Sequence, residues 1–142
     1  FRRPPVNTAR FTFFDPRARD FFGEWERAAR DVVSTLRSEA GRNPHDKALT
    51  DLIGELCTRS EEFRVWWAAH NVRRHRSGTK HLRHPIVGDL YLNYELMELP
   101  ADDGLAIVTY SAERGSASQQ ALDLLASWVA TGEDVRSPEG VE

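Results

Sequence analysis

Gly88-Asp-Leu-Tyr-Leu-Asn-Tyr-Glu-Leu-Met-Glu-Leu99 is the stretch on which the fold class turns. Leu90, Leu92, Tyr94 and Leu96 alternate with Asp89, Tyr91, Asn93 and Glu95. A period of two with one apolar side marks a half-buried antiparallel strand. On one flank, Thr79 to His84 is a candidate strand that ends at His84-Pro85. On the other, Pro100 to Gly104 is a turn and Leu105 to Ala112 (Leu-Ala-Ile-Val-Thr-Tyr-Ser-Ala) a further strand. Segment 79–112 is therefore expected to be an antiparallel sheet, with Leu90, Leu92 and Tyr94 inward and Asp89, Tyr91 and Asn93 outward.

Toward the N-terminus the period lengthens. Asn7 to Phe14 is a short segment rich in Phe. Asp15-Pro16 then opens a helix, Asp as cap and Pro where the missing N–H costs nothing. Phe21, Phe22, Trp25, Ala28, Ala29, Val32, Val33 and Leu36 form one stripe to about Ala40, with Gly23 a point of division and Gly41 a stop. Asp46 caps a helix carrying Leu49, Leu52, Ile53 and Leu56; Ser60 caps another carrying Phe63, Trp66, Trp67 and His70. Ser116 and Gln119 have capping-box spacing before a helix with Leu122, Leu125 and Trp128. Helices first, then strands, then one helix, give an α+β domain: N-terminal helices packed on a small antiparallel sheet, closed by a C-terminal helix. A PAS-like plan is the analogous architecture.

The 142 residues make one domain, and 40% hydrophobic content with four Trp, three Tyr and seven Phe suffices for a core. Residues 1–6 read as a linker remnant, 7–130 as the domain and 131–142 as a flexible tail. The single Cys57 cannot form an internal disulfide, which fits a reducing, cytoplasmic setting. No apolar run approaches the roughly 18–20 residues of a membrane span. The net charge of −3 hides an asymmetry: residues 1–85 carry 17 basic against 11 acidic groups, residues 86–142 only 2 against 11. Arg73, Arg74, Arg76, Lys80 and Arg83 meet no acid between His70 and His84. They mark either a partner surface or a solvated loop and strand edge. An acidic chain with one basic run is expected to bind duplex DNA negligibly at physiological salt.

Catalytic signatures are missing from the sequence: no glycine-rich phosphate loop, no Gly-x-Ser-x-Gly, no His-Glu-x-x-His. Gly115-Ser116 reads better as a helix cap than as a nucleophile turn. His81 and His84, three apart on a strand, face opposite ways and cannot share a metal. No cofactor is expected. The aromatics fill the core, or some of them line an apolar cavity with a polar mouth.

Several stretches together resemble one family. They are Asn7-Thr-Ala-Arg10 with Phe13 to Arg19; Leu52-Ile-Gly-Glu-Leu56; Ser60-x-Glu-Phe-Arg-x-x-Trp67-Ala-x-His70; Gly78-Thr-Lys80; His84-Pro-x-Val-Gly-x-Leu90-x-Leu92-x-Tyr94; Tyr110-Ser-Ala-Glu113; and Ala121 to Trp128. Their order resembles the MmyB-like ligand-binding domain, which follows an XRE-type helix-turn-helix in many actinobacterial regulators. The resemblance implies a PAS-like fold and a cavity suited to a fatty-acid-like or other apolar small molecule. It also implies DNA contact only through a missing N-terminal domain; with no catalytic signature and no long apolar run, neither enzymatic activity nor a membrane partner is expected, and a homodimer is admitted. Glu61, Asn71 and Cys57 depart from residues common in the family and leave the ligand's identity open.

Arg64, Trp67 and His70 share a helix face. With His84 they are the expected cavity mouth, and Trp25, Leu90, Leu92, Val108 and Tyr110 the apolar wall. An acidic head group would pair with Arg64. The competing arrangement pairs Arg64 with Glu61 or Asp31 and leaves His70 at its helix C-terminus. The competing function is a structural module that dimerises or recruits a partner.

Overall fold

The computed structural model describes residues 7–69, 77–101 and 104–130. The expected linker 1–6, the tail 131–142, His70, and Arg73, Arg74 and Arg76 lie outside the described residues.

The Phe-rich segment is helical from Thr8 to Phe14. The Arg10 N–H donates to Asn7 Oδ1 at 3.0 Å, capping α1 (Thr8–Phe14). Asp15 accepts from the Arg17 N–H at 2.9 Å as α2 (Arg17–Phe21) begins. The long helix expected from Asp15 to Ala40 is divided: Phe22 bridges to Leu82 in the sheet, and α3 (Trp25–Arg42) starts beyond it. The division falls at Gly23, whose N–H donates to the His81 carbonyl at 2.9 Å. Gly41 does not stop α3, which runs on to Arg42. Glycine in a helix costs only about 1 kcal/mol, and the end comes at Asn43, whose N–H still donates to the Glu39 carbonyl at 2.8 Å but whose own backbone leaves the helix, with φ of −123° and ψ of 64°.

α4 (Lys47–Arg59) is capped by Asp46, which accepts from the Leu49 N–H at 3.1 Å. Ser60 has two tasks. Its N–H donates to the Leu56 carbonyl at 2.9 Å, ending α4, and its hydroxyl accepts from the Phe63 N–H at 3.2 Å, starting α5 (Glu61–Ala68). That hinge turns Leu56 and Phe63 into one core with Ala9 and Val33, wrapped by Phe13, Trp66 and Trp67.

The strands β1 (Ser77–His84), β2 (Gly88–Glu98) and β3 (Ala106–Ser111) form one antiparallel sheet in the order β1-β2-β3. The expected register holds: Leu90, Leu92 and Tyr94 are 4%, 4% and 8% exposed, while Tyr91 is 63% exposed. His81 pairs with Tyr91 and His84 with Gly88, which puts the two histidines on opposite faces. Gly88, with φ of 76°, turns the chain into β2. α6 (Ala117–Ala130) is capped by Ser116, which accepts from the Gln119 N–H at 3.1 Å. The box is one-sided, because the Gln119 amide goes forward to Asp123 at 2.8 Å. Ser118 Oγ takes the Tyr91 N–H at 2.9 Å and so fastens α6 to the edge of β2 beyond the end of β3. The fold is α+β, with the buried sheet residues Leu90, Leu92 and Tyr94 all on one face, and it is compatible with a PAS-like plan.

Candidate functional site

The pairing register sorts the sheet's side chains. Lys80 and Leu82 on β1 lie opposite Leu92 and Leu90, and Val108 and Tyr110 on β3 lie opposite Leu96 and Tyr94. All share the buried face. Coverage of that face is uneven. Leu82 packs under Ala18, Phe22 and Ala28 of the helical layer. At β3, Val108 and Tyr110 are 43% and 47% exposed, although they belong to the face on which Leu90 and Leu92 are buried. The result is an apolar shelf, closed at β1 and open at β3.

One cross-strand row runs along the shelf: Gly78, Tyr94, Tyr110. A Cβ at Gly78 would come within 3.1 Å of the Tyr94 ring, so glycine makes room for that ring. The Tyr94 and Tyr110 ring centroids are 6.4 Å apart. The Lys80 ammonium stands 5.0 Å from the centre of the Tyr94 ring. Beside it, Phe22, Arg27, Ala28, Asp31 and Lys80 line a small, solvent-open cleft between α3 and β1. Burial pushes the Lys80 pKa below its ordinary value, with Asp31 opposing and Arg27 adding to the shift. Burial likewise raises Tyr94 and Tyr110.

A lowered lysine pKa means that the folded protein resists the charged form. Lys80 thus adds stability above its unfolded pKa and withdraws it as pH falls through the folded value. Lys80→Met is accordingly expected to leave the protein at least as stable at neutral pH, with a gain of roughly 0.5 kcal/mol that fades above about pH 10.4. Urea unfolding at both pH values checks this, and a loss on substitution at neutral pH would show a paired, stabilising ammonium.

The residues expected at the site fall into three groups. Leu90, Leu92, Val108 and Tyr110 come together on the shelf. Trp25 and Trp67 are held in the helical layer. Trp25 donates its indole N–H to the Thr12 carbonyl at 3.0 Å under the Arg19 guanidinium. Trp67 stacks on Phe63 at 5.6 Å, and Arg37 covers its ring and donates to its carbonyl. Arg64 is on the surface, 60% exposed and paired with Glu61 at 2.5 Å. His84, at the end of β1, accepts from the Ile86 N–H at 3.3 Å. His70 lies outside the described residues. Arg64 and Trp67 sit on α5, which packs on α3 and α4, and they are not part of the shelf.

Lys80 and Tyr94 were missing from the expected site. Stepping back by two from Leu82 places Lys80 on the apolar side, a signal masked by its membership of the basic run. Its half-burial corrects the reading of that run, at this residue, as solvated. Cys57 packs against the helical core, and burial raises its thiol pKa, which suits an inert thiol. Among the described residues no three His, Cys, Asp or Glu side chains gather as metal ligands, and no helix is long and apolar enough to cross a membrane.

No curated protein matches the chain. The family model of the MmyB-like transcription regulator ligand binding domain matches residues 1–125, which takes in the helical layer, the whole sheet and most of α6. With most of its length matched, the chain belongs to the MmyB-like transcription regulator ligand binding domain family.

Proposed function

We propose that this chain is the effector-sensing part of a DNA-binding transcription regulator, and that its effector is an apolar, fatty-acid-like small molecule. In this reading it binds rather than catalyses and works in the cytoplasm. DNA is read by an attached XRE-type helix-turn-helix, as in actinobacterial regulators. The observation that carries the proposal is the uneven cover of one sheet face. Leu90 and Leu92 are shut in, while Val108 and Tyr110 stand half open on the same side. A small molecule laid along β3 would complete that burial at about 25 cal/mol per Å² of apolar surface.

Native mass spectrometry of the purified protein tests for a co-purified amphiphile, and thermal melts with saturated fatty acids test for stabilisation. At tenfold excess over Kd the expected gain is about 1.4 kcal/mol, or several degrees in Tm. No bound species and no shift with any chain length would remove the proposal.

β3 favours a second reading, a dimerisation module. The Leu105 carbonyl accepts from the Leu99 N–H at 3.0 Å, so alternation turns the main-chain groups of Ala106, Val108 and Tyr110 to the open edge. Residues 105–112 carry neither charge nor proline, the usual guards of such an edge. Sedimentation of the parent and of Val108→Lys separates the readings. A dimer that the lysine dissolves, with no fatty-acid stabilisation in either protein, favours the module.

A further inference from the structure

We infer that the shelf is half of a site: two copies of this chain pair through β3, in a register centred on Val108, and the small molecule lies on both, so that binding and dimerisation reinforce one another. The inference rests on the proposed occupation of the shelf by an apolar small molecule and makes the second copy a part of that site.

The sheet has one bare edge. The outer side of β1 is held by the chain itself, since the Gly23 N–H donates to the His81 carbonyl at 2.9 Å and Phe22 bridges to Leu82. The start of β2 is fastened to α6 by Ser118. Among the described residues nothing comparable covers β3, where every residue from Leu105 to Ser111 is exposed. Its outward main-chain groups are those of Ala106, Val108 and Tyr110.

That edge is complementary to itself. Antiparallel pairing must join outward groups to outward groups. Centred on Val108, it sets Val108 opposite Val108 of the second copy, Ala106 opposite Tyr110 and Ile107 opposite Thr109. The register makes about six main-chain hydrogen bonds, places a small residue against a large one, and matches β-branched residues. Any shift leaves Ala106 or Tyr110 without an opposite number in β3. Residues 105–112 carry no charge, so the strand does not repel its own copy.

Area limits the strength of this pairing. Leu105, Ile107, Val108 and Tyr110 together expose roughly 400 Å² per copy, so two copies bury at most roughly 800 Å² of it, short of the ~1,200 Å² of a stable interface. Edge pairing alone therefore gives a weak dimer. Opposite residues of paired strands point to one face, so Val108 and Tyr110 of both copies form a single floor, two strands wide. A helical layer stands at each side of it, where Leu82 is packed under Phe22 and Ala28. A molecule in this trough lies over the half-open Val108 and Tyr110, touches both copies and supplies the burial that the edges lack. It binds the dimer more tightly than a single shelf, and linkage stabilises the dimer by the same factor.

The test is sedimentation velocity over a range of protein concentrations, without and with decanoate, beside decanoate titrations by calorimetry. The parent is expected to dimerise weakly, and saturating decanoate should lower the dimer Kd at least about tenfold. Ala106→Pro removes one outward N–H and leaves the ladder to β2 intact, and proline is tolerated on an edge strand. This variant should stay monomeric and bind decanoate about tenfold more weakly, with a melt close to the parent's. The register has its own test, independent of the proline. Ile107 and Thr109 would face each other as a non-hydrogen-bonded pair with Cα atoms about 4.5 Å apart. A protein carrying both Ile107→Cys and Thr109→Cys should then oxidise to a covalent dimer faster than either single variant. Equal rates would overturn the register. A parent that is monomeric with and without decanoate, or a dimer that survives Ala106→Pro, would overturn the β3 pairing. A dimer whose Kd decanoate leaves unchanged, or undiminished decanoate affinity in the monomeric proline variant, would overturn the shared site. A parent that dimerises but binds no decanoate would remove the proposed function and the linkage with it, and leave the β3 dimer standing.

Discussion

Phe63→Ala is expected to cost about 3–5 kcal/mol of folding stability, enough to leave the domain barely folded at growth temperature, since ordinary domains hold only about 5–15 kcal/mol in all. Phe63 is fully buried. Its ring meets Phe13 edge-on at 5.1 Å and lies flat on Trp67 at 5.6 Å, and its N–H is held by the Ser60 hydroxyl at 3.2 Å. The residue therefore ties α1, α4 and α5 together at one point. Truncation removes the apolar burial and both ring contacts, and it leaves a hole that rigid indoles cannot fill. Urea unfolding followed by far-ultraviolet circular dichroism measures the loss. A cost below about 1.5 kcal/mol would mean that the cluster collapses onto the alanine. Phe63→Leu, which retains most of the volume, should cost well under half as much.

The sequence discloses this core well, because what builds it is local. Asp46 and Ser60 cap the helices that follow them by reaching only three residues ahead, and such bonds are written in adjacent letters. β2 is legible for a related reason: only one of its faces is buried, so polarity alternates without interruption. What the letters lack is the meeting of distant elements. Arg64, Trp67 and His70 are spaced to share a face of α5, but spacing does not say what that face meets. In the fold Trp67 is engaged by Phe63 and Arg37, and Arg64 turns to Glu61 three residues away. Lys80 shows the opposite failure. Its neighbours in sequence are basic and solvent-loving, yet strand pairing sets it between Tyr94 and α3. The half of the expected site that came from strand periodicity, Leu90, Leu92, Val108 and Tyr110, is gathered on one face. The half that came from helix spacing is not.

Gly23→Ala is the second large effect, expected to cost roughly 2–3 kcal/mol from the addition of one methyl group. The backbone at Gly23 does not have the positive φ that favours glycine; what forbids a side chain is its neighbour. A Cβ there would stand 2.0 Å from His81 Nδ1 and 2.4 Å from its Cγ. The imidazole has little freedom to withdraw, since it stacks on Tyr91 at 4.3 Å and its Nε2 is 2.6 Å from Asp89 Oδ1. Nor can the linker easily lift, because the Gly23 N–H is bonded to the His81 carbonyl at 2.9 Å and Phe22 bridges to Leu82. Either the stacked ring or the docking of the helical layer on β1 must give way. A double-mutant cycle with His81→Ala identifies the cause. If the clash is responsible, the double variant should be more stable than the two single losses added together, by about 1–2 kcal/mol. Strict additivity would instead place the cost in the linker's own conformation.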